Sequence, residues 1–329
     1  MSELVDKFNR KITYLRMSVT DRCDFRCIYC MDEKMTFMPR AQLLTLEELA
    51  WVGRAFVELG VNKIRITGGE PLVRHGILQL FEQLSALPGL KELVITTNGS
   101  QLAKMAQSIK DAGVKRINIS LDTLKADRFQ KVTRTGKLDN TLKGIEASLN
   151  VGFKRIKLNA VILKGRNHDE VTDLVNFVID RDMDISFIEE MPLGLAVEHD
   201  YAALHYSSDQ IRDDLSQTFT LLPTTESTAG PSKYYRVANT ETRIGFISPH
   251  SHNFCDACNR VRMTTEGRLL LCLGQENSVD LKRVVRAHPG EIEPLKQAIV
   301  AAMQFKPKNH EFELNNQPKI LRHMNVTGG

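Results

Sequence analysis

The sequence lacks the features of a membrane-spanning or exported protein. No uninterrupted apolar run is long enough to cross a bilayer, and the opening MSELVDKFNR has no apolar core of the kind that secretion signals contain. Aromatic residues make up only 6% of the 329 residues, and none interleave with the scattered basic residues as in a nucleic-acid-binding patch. A Gly-x4-Gly-Lys-Ser/Thr phosphate loop is also missing. We therefore expect a cytoplasmic protein with no membrane or nucleic-acid partner.

Cysteine is scarce, and its distribution is informative. All six cysteines fall into two short groups, which we call the first triad and the second triad. The first triad is Cys23, Cys27 and Cys30, and the second triad is Cys255, Cys258 and Cys272. Disulfides are disfavoured in a reducing compartment, and thiols that merely fill a core would be scattered singly. Clustered thiols in such a protein instead indicate metal binding.

Between residues 12 and 189, short apolar runs alternate with amphipathic stretches. The runs predicted to be strands are Tyr14–Val19, Lys63–Thr67, Leu93–Thr97, Arg116–Ser120, Arg155–Val161 and Ile185–Glu189. The stretches predicted to be helices are Thr45–Gly60, Ile77–Ala86, Gln101–Ala112, Asp139–Val151 and Asp169–Arg181. This alternation predicts parallel strands with right-handed crossovers. Six units are too few for a closed eight-stranded barrel, so we predict an α/β fold, a partial (β/α)6 TIM-type barrel.

The pattern changes after about residue 192. Residues 223–233 are rich in Pro, Thr, Ser and Gly, which predicts a linker or a long loop. Beyond them we predict a strand at Arg243–Ile247 and helices at Ser278–Ala287 and Pro294–Phe305. We therefore expect two domains: a barrel over residues 1–222, and a C-terminal extension over 223–329 that carries the second triad and ends in Gly328-Gly329.

The first triad directly follows the first predicted strand, at the end where barrels of this type carry their chemistry. A cubane iron–sulfur cluster needs four ligands, so three cysteines leave one iron open to a small molecule. A zinc site completed by a distant histidine has the same spacing. The second triad is equally ambiguous, because His250 or His252 would complete a structural zinc site. Arg260 and Arg262 follow it, and on an extended strand both guanidinium groups would face one anion or simply solvent.

Cys-x3-Cys-x2-Cys with Tyr29 inside it, followed by Gly68-Gly69-Glu70-Pro71 after the next strand, resembles the radical S-adenosylmethionine (SAM) superfamily. The resemblance implies a 4Fe-4S cluster whose open iron binds the amino and carboxylate groups of SAM. It also implies reductive cleavage of SAM to a 5′-deoxyadenosyl radical that abstracts hydrogen from a substrate. The positions that match SAM contacts are Tyr29, Gly69, Ser120 and Met191.

From Tyr14 to Gly329 the chain resembles one family within this superfamily, the GTP 3′,8-cyclases of molybdenum-cofactor biosynthesis. The matching segments include LRMSVTDRCDFRCIYCM, KIRITGGEPLVR, FIEEMPLG, FCDACNRVRMTTEG and the Gly-Gly end. The resemblance implies a second 4Fe-4S cluster, held by the second triad, whose open iron contacts the guanine of GTP. It further implies hydrogen abstraction from ribose C3′ and attack on guanine C8, which gives (8S)-3′,8-cyclo-7,8-dihydroguanosine 5′-triphosphate.

The resemblance also assigns roles to individual residues. Positions that match GTP contacts are Arg16, Arg65, Thr96, Lys157, Arg260 and Arg262, with Lys63 as a further candidate for the triphosphate. Residues implied in catalysis are Cys23, Cys27, Cys30, Arg260, Arg262, Gly328 and Gly329. Two positions depart from the family pattern. Ser186 replaces a common arginine, and Leu273-Gly274-Gln275 lacks an aromatic residue often found after the third distal cysteine.

Partners follow from the same resemblance: GTP, an electron donor for cluster reduction, cyclic pyranopterin monophosphate synthase as the next enzyme, and a second copy in a homodimer. Two alternatives stay open at this point. One is another two-cluster radical SAM enzyme, such as a peptide-modifying maturase, and the other is a non-enzymatic protein with two zinc sites.

Overall fold

The computed structural model describes residues 3–194, 200–314 and 320–328. Within these residues the strands form one twelve-stranded sheet. The strands are β1 (Tyr14–Ser18), β2 (Lys63–Thr67), β3 (Glu92–Thr97), β4 (Arg116–Ser120), β5 (Lys157–Ile162), β6 (Asp184–Glu189), β7 (Leu221–Pro223), β8 (Lys233–Val237), β9 (Arg243–Ile247), β10 (Arg260–Met263), β11 (Arg268–Leu270) and β12 (Ser278–Asp280). Their order across the sheet is β12-β11-β10-β1-β2-β3-β4-β5-β6-β9-β8-β7.

The six predicted strands form the centre of the sheet in chain order, which confirms the partial (β/α)6 barrel. Two strands of the C-terminal region extend it, because β10 pairs in parallel with β1 and β9 pairs in parallel with β6. The remaining outer strands are antiparallel to their neighbours. Sequence from beyond residue 222 therefore flanks the barrel strands at both edges of the sheet.

The helices that follow the central strands begin and end within a few residues of the predicted bounds. The helices are α1 (Leu46–Glu58), α2 (Ile77–Ser85), α3 (Leu102–Asp111), α4 (Ala126–Thr133), α5 (Leu138–Asn150), α6 (Val171–Ile179), α7 (Tyr201–Leu204), α8 (Ser208–Ser216), α9 (Leu281–Ala287), α10 (Glu293–Met303) and α11 (Met324–Thr327). A capping box marks the start of α1, with Thr45 and Glu48 each accepting the other's backbone N–H. The short helices α4, α7, α8 and α11 were not predicted.

One predicted helix is wrong at its start. Residues 278–280 form β12, and the helix begins only at Leu281, because the Asp280 side chain caps it by accepting the N–H of Arg283. The predicted loop over residues 223–233 is confirmed between its ends, since Pro223 closes β7 and Lys233 opens β8. Among the described residues, no helix has the length and apolar character needed to span a membrane.

The central strands are buried on both faces, but the two faces differ in chemistry. On β2, Ile64 and Ile66 join the hydrophobic core, whereas Lys63 and Arg65 alternate with them and are also buried. Side chains alternate between the faces of a strand, so the apolar face packs against the helices and the basic face lines the inside of the barrel. This division positions the site.

Candidate active site

The two cysteine triads lie at opposite ends of the same pair of parallel strands. Cys23 follows the carboxyl end of β1, whereas Cys258 precedes the amino end of β10, which runs parallel to β1. Cys272 follows β11, which is antiparallel to β10, and so lies at the same end as Cys258. The five residues of β1 span about 16 Å. Only the first triad therefore lies at the carboxyl ends of the strands, where we expected the chemistry.

Basic side chains form two rows between the triads. Strand pairing aligns Arg262, Arg16 and Arg65 in one row, and Arg260, Tyr14 and Lys63 in the next. Five of these six residues line one cavity of about 1110 Å³, open solvent space included, and Lys63 is buried nearby. The cavity is also lined by Lys157, Met191 and all three cysteines of the second triad. Its size suits a nucleotide, and its lining suits an anion.

The charges in this cavity are incompletely compensated. Arg16 Nε is buried and has no hydrogen-bond partner among the described residues. Burial and the neighbouring charge of Arg262 lower the pKa of Arg16, and burial together with Arg260 lowers the pKa of Arg262 to about 10. Burial alone would raise the pKa of Tyr14, but the charges of Arg65, Arg16 and Lys63 lower it to about 7. A bound polyanion would relieve this repulsion.

Two predicted GTP contacts are already engaged with protein groups. Lys63 Nζ lies 2.7 Å from a carboxylate oxygen of Glu92 and donates to the carbonyl of Thr228 at 2.7 Å. Thr96 does not line the cavity but accepts a hydrogen bond from Arg65 Nη1 at 2.9 Å. Lys63 thus holds the 223–233 loop, and Thr96 orients a guanidinium group that faces the cavity.

Ser186, one of the two departures from the family pattern, contacts a predicted GTP ligand. Lys157 Nζ donates to Ser186 Oγ at 3.1 Å and to Tyr234 OH at 3.0 Å, and Ser186 Oγ lies 2.9 Å from Ser232 Oγ. A Cβ on Gly245 would lie 2.6 Å from Ser186 Oγ, so little free space surrounds this serine. The network fixes Lys157 through uncharged hydroxyl groups, so the charge of its ammonium group remains available to an anion in the cavity.

The thiols of the first triad are close enough to influence one another. Burial and the charges of Cys30 and Cys23 raise the pKa of Cys27, and burial raises the pKa of Cys30 to about 12. Thiolate ligands in such a site require a compensating metal charge. Three cysteines are the ligand type of an iron–sulfur cluster, which supplies that charge, whereas no three His, Cys, Asp or Glu side chains among the described residues are placed to hold a single metal ion.

The loop after β2 packs tightly against the loop of the first triad. Gly69 N donates to Thr20 O at 2.7 Å, and a Cβ on Gly69 would lie 2.4 Å from Arg22 O, so only glycine fits. Glu70 is fully buried and accepts from Thr97 Oγ1 at 2.8 Å and from the N–H of Asn98 at 2.7 Å. Burial raises the pKa of Glu70 to about 8. The carboxyl group thus joins the ends of β2 and β3 beneath the triad.

The other predicted SAM contacts lie near the carboxyl ends of the strands. Tyr29 OH donates to Asp122 Oδ2 at 2.5 Å, which fixes the cysteine loop to the segment after β4. Ser120 is the last residue of β4, and Met191 follows β6 and lines the cavity. The structure therefore brings these residues to one rim.

The C-terminal tail enters the barrel. Gly328 has a φ of +74°, and its carbonyl accepts from Arg262 Nη1 at 2.9 Å. A Cβ at Gly328 would lie 1.8 Å from Thr67 Oγ1, so the tail passes where no larger residue fits. Asn325 Nδ2 anchors the tail to Asp21 O at 2.8 Å. Gly329 lies outside the described residues.

The sequence reasoning missed several residues of the cavity. Tyr14 lies two residues before Arg16 on β1, and its side chain therefore points to the same face of the strand. The sequence alone could have indicated this. The 228–232 loop carried no such signal, because β8, which follows it, reaches the barrel only through its pairing with β9. Near the second departure, Phe312 packs against Gly274, so an aromatic ring from a distant segment covers this loop.

Two family models together match most of the chain. Residues 17–178 match the Radical SAM superfamily, and residues 183–312 match Molybdenum Cofactor Synthesis C. A protein of Saccharophagus degradans named GTP 3′,8-cyclase is 58% identical over 328 residues, covering 100% of this chain and 99% of its own. A protein of Pseudomonas entomophila with the same name is 61% identical over 327 residues, covering 99% and 98%.

Among solved structures, Streptococcus suis SuiB bound to S-adenosylmethionine superposes with a TM-score of 0.64. The match covers 94% of this chain and 79% of that one at 16% identity, so it concerns the fold alone.

Proposed function

The chain belongs to the GTP 3′,8-cyclase family, and from this premise we propose that its two triads hold two 4Fe-4S clusters at opposite ends of one GTP-binding cavity. The protein is a radical SAM enzyme of molybdenum-cofactor biosynthesis that uses SAM and an iron–sulfur cluster to convert GTP to its 3′,8-cyclised dihydro derivative. The observation that carries the proposal is the placement of the basic rows between the two triads.

At the carboxyl end, the first triad would hold the cluster that binds SAM. When bound, this cluster would supply the electron for reductive cleavage of SAM and thereby the radical chemistry needed at ribose C3′. We assign SAM contacts to Tyr29, Gly69, Ser120 and Met191. Gly69 suits this role because its backbone lies directly against the cysteine loop, and Tyr29 suits it because Asp122 fixes its ring.

In the cavity, the basic side chains would bind the triphosphate of GTP. Arg16, Arg65 and Lys157 face the cavity from three strands, and their charges are not cancelled by carboxylates among the described residues. Guanidinium groups bind phosphate through paired donors. Thr96 and Lys63 complete the set by orienting Arg65 and by holding the loop at Thr228.

At the amino end, the second triad would leave one iron open to guanine, because a cubane cluster needs four ligands and the triad supplies three cysteines to that part of the cavity. Arg260 and Arg262 would act between the second cluster and the tail, since Arg262 donates to the Gly328 carbonyl. Gly328 would then help to close the cavity around the substrate, because a glycine can thread where side chains cannot. Gly329, outside the described residues, stays a predicted catalytic residue.

Further parts of the proposal concern the setting of the enzyme. The six free thiols and oxygen-sensitive clusters favour the cytoplasm, where thiols stay reduced. We also propose an external electron donor, transfer of the product to cyclic pyranopterin monophosphate synthase, assembly as a homodimer, and a division into domains at residue 222.

Anaerobic metal analysis combined with an activity assay tests the proposal. Protein reconstituted with iron and sulfide should contain about eight irons with matching sulfide, and should form cyclised product from GTP, SAM and a reductant. Two zinc ions and a colourless solution would contradict it in favour of a zinc protein. SAM cleavage on a peptide without any product from GTP would favour a maturase.

The double variant Arg260→Ala with Arg262→Ala is expected to weaken GTP binding at least about tenfold while iron content stays near normal. Removing one charge-assisted hydrogen bond to phosphate costs about 1.5–3 kcal/mol, so the loss of even a single arginine contact weakens binding about tenfold. Equilibrium dialysis with radiolabelled GTP measures the effect. The matched control, Arg166→Ala with Arg283→Ala, removes two exposed charges and should bind normally. Unchanged affinity in the first variant would remove these arginines from the GTP site.

A further inference from the structure

Lys306 is a buried cation beside the second triad, and it belongs to neither the SAM contacts nor the GTP contacts. Its side chain is essentially inaccessible to solvent, at 1% relative exposure. Nζ lies 3.5 Å from Cys258 Sγ, 3.0 Å from Arg260 O and 2.6 Å from Leu271 O. No carboxylate among the described residues pairs with it.

The three contacts of Lys306 join the segments that carry two cysteines. Arg260 comes two residues after Cys258, and Leu271 directly precedes Cys272. All three N–H groups of the ammonium therefore have acceptors, and one of these acceptors is a thiol sulfur. Burying an unpaired charge costs several kcal/mol, so a fully buried lysine points to a nearby negative charge. Deprotonated cysteines would provide it.

A second buried cation fixes the segment that contains Lys306. Arg10 donates to the carbonyls of Pro307 at 2.6 Å and Lys308 at 2.8 Å, and also to the carbonyl of Cys255 at 2.8 Å. Its Nε is paired with Asp6 at 2.6 Å. Arg10 and Lys306 together connect all three cysteine-bearing segments of the second triad to one another.

We propose that Lys306 is a positioning residue of the second cluster, which fixes the Cys258 and Cys272 segments and raises the cluster's reduction potential through its charge. The inference rests on the proposed second cluster. A reduced cluster carries one more negative charge than an oxidised one, so a fixed cation beside a ligand sulfur favours the reduced form.

The charge of Lys306 lies closest to Cys258. Nζ contacts the Sγ of Cys258 itself at 3.5 Å, whereas it contacts the Cys272 segment through the carbonyl of the preceding residue, Leu271. We therefore expect the charge to act mainly through Cys258.

The test is a redox titration of the second cluster, followed by electron paramagnetic resonance, in full-length protein whose first triad is replaced by serines. Only one cluster then contributes to the signal. Lys306→Arg keeps the charge, Lys306→Gln keeps a hydrogen-bond donor without charge, and Lys306→Met keeps neither. Lys308→Met removes an exposed charge two residues away and serves as the matched control.

The expected midpoint potential is near the parent value in the arginine variant and in the Lys308 control, and lower in the glutamine variant. The methionine variant should share the lowered midpoint potential of the glutamine variant and should also retain less iron than the parent. Equal midpoints in the parent and glutamine proteins would overturn the inference while leaving the second cluster in place. A serine-substituted parent that binds no iron or sulfide would instead remove the second cluster itself, and the inference with it.

Discussion

Replacing Cys23 by alanine should reduce SAM cleavage to below detection, because the cluster that we propose at the first triad would lose one of its three protein ligands. In the structure Cys23 is only partly buried against the hydrophobic core, and its Sγ accepts the N–H of Phe25 at 3.3 Å, so alanine removes little buried apolar surface. The variant should therefore fold. The measurement is 5′-deoxyadenosine formed under reducing, anaerobic conditions, with iron per chain falling by about half.

The matched variant is Cys272→Ala at the opposite end of the barrel. It should still cleave SAM, because the first triad is intact, but it should give no cyclised product from GTP. This contrast separates the two triads by function. Continued 5′-deoxyadenosine formation by the Cys23 variant would show that the first triad does not bind the SAM-cleaving cluster.

Gly328→Ala is expected to lower formation of cyclised product about 100-fold or more, which corresponds to about 2.7 kcal/mol in the barrier. Two physical effects combine at this position. Its φ of +74° is unfavourable for any residue with a Cβ, and that Cβ would lie 1.8 Å from Thr67 Oγ1. The tail must therefore leave its place, and Arg262 loses the carbonyl that it contacts at 2.9 Å.

Gly290→Ala provides the control for backbone strain. Gly290 also has a positive φ of +83°, but a Cβ added there would meet no heavy atom of the described residues within 4 Å. Both variants place a Cβ on a residue with positive φ, but only the Cβ of Gly328→Ala would collide with a neighbouring atom. Gly290→Ala should therefore keep normal turnover. Thermal unfolding of the Gly328 variant should stay close to that of the parent because only the tail is displaced. Equal turnover in both variants would mean that the tail has no part in catalysis.

The sequence allowed the central fold to be predicted because the information is local. The strand at Lys63–Thr67 alternates Ile with basic residues, and Thr45 with Glu48 marks the start of α1. Short-range periodicity and capping are properties of neighbouring residues, so six strands and their helices could be assigned. The triads could be assigned for the same reason, since each depends on cysteine spacing within a short segment.

The remainder of the site depends on pairing between distant segments. The pairing of Arg16 with Arg262 joins residues 246 positions apart in sequence. No local pattern indicates that β10 joins the edge of β1, nor that its amino end opposes the first triad. The place of Lys306 could not be predicted either, because α10 separates it from Cys258 in sequence and the two residues meet only in the folded chain.

We propose that each triad leaves one iron open, the first to SAM and the second to GTP. Electron–nuclear double resonance on protein whose first triad is replaced by serines tests the open iron of the second triad most directly. We predict that GTP containing ¹⁵N-guanine produces a nitrogen coupling on the reduced second cluster, different from that of unlabelled GTP. Bound GTP without any nitrogen coupling to that cluster would contradict the account.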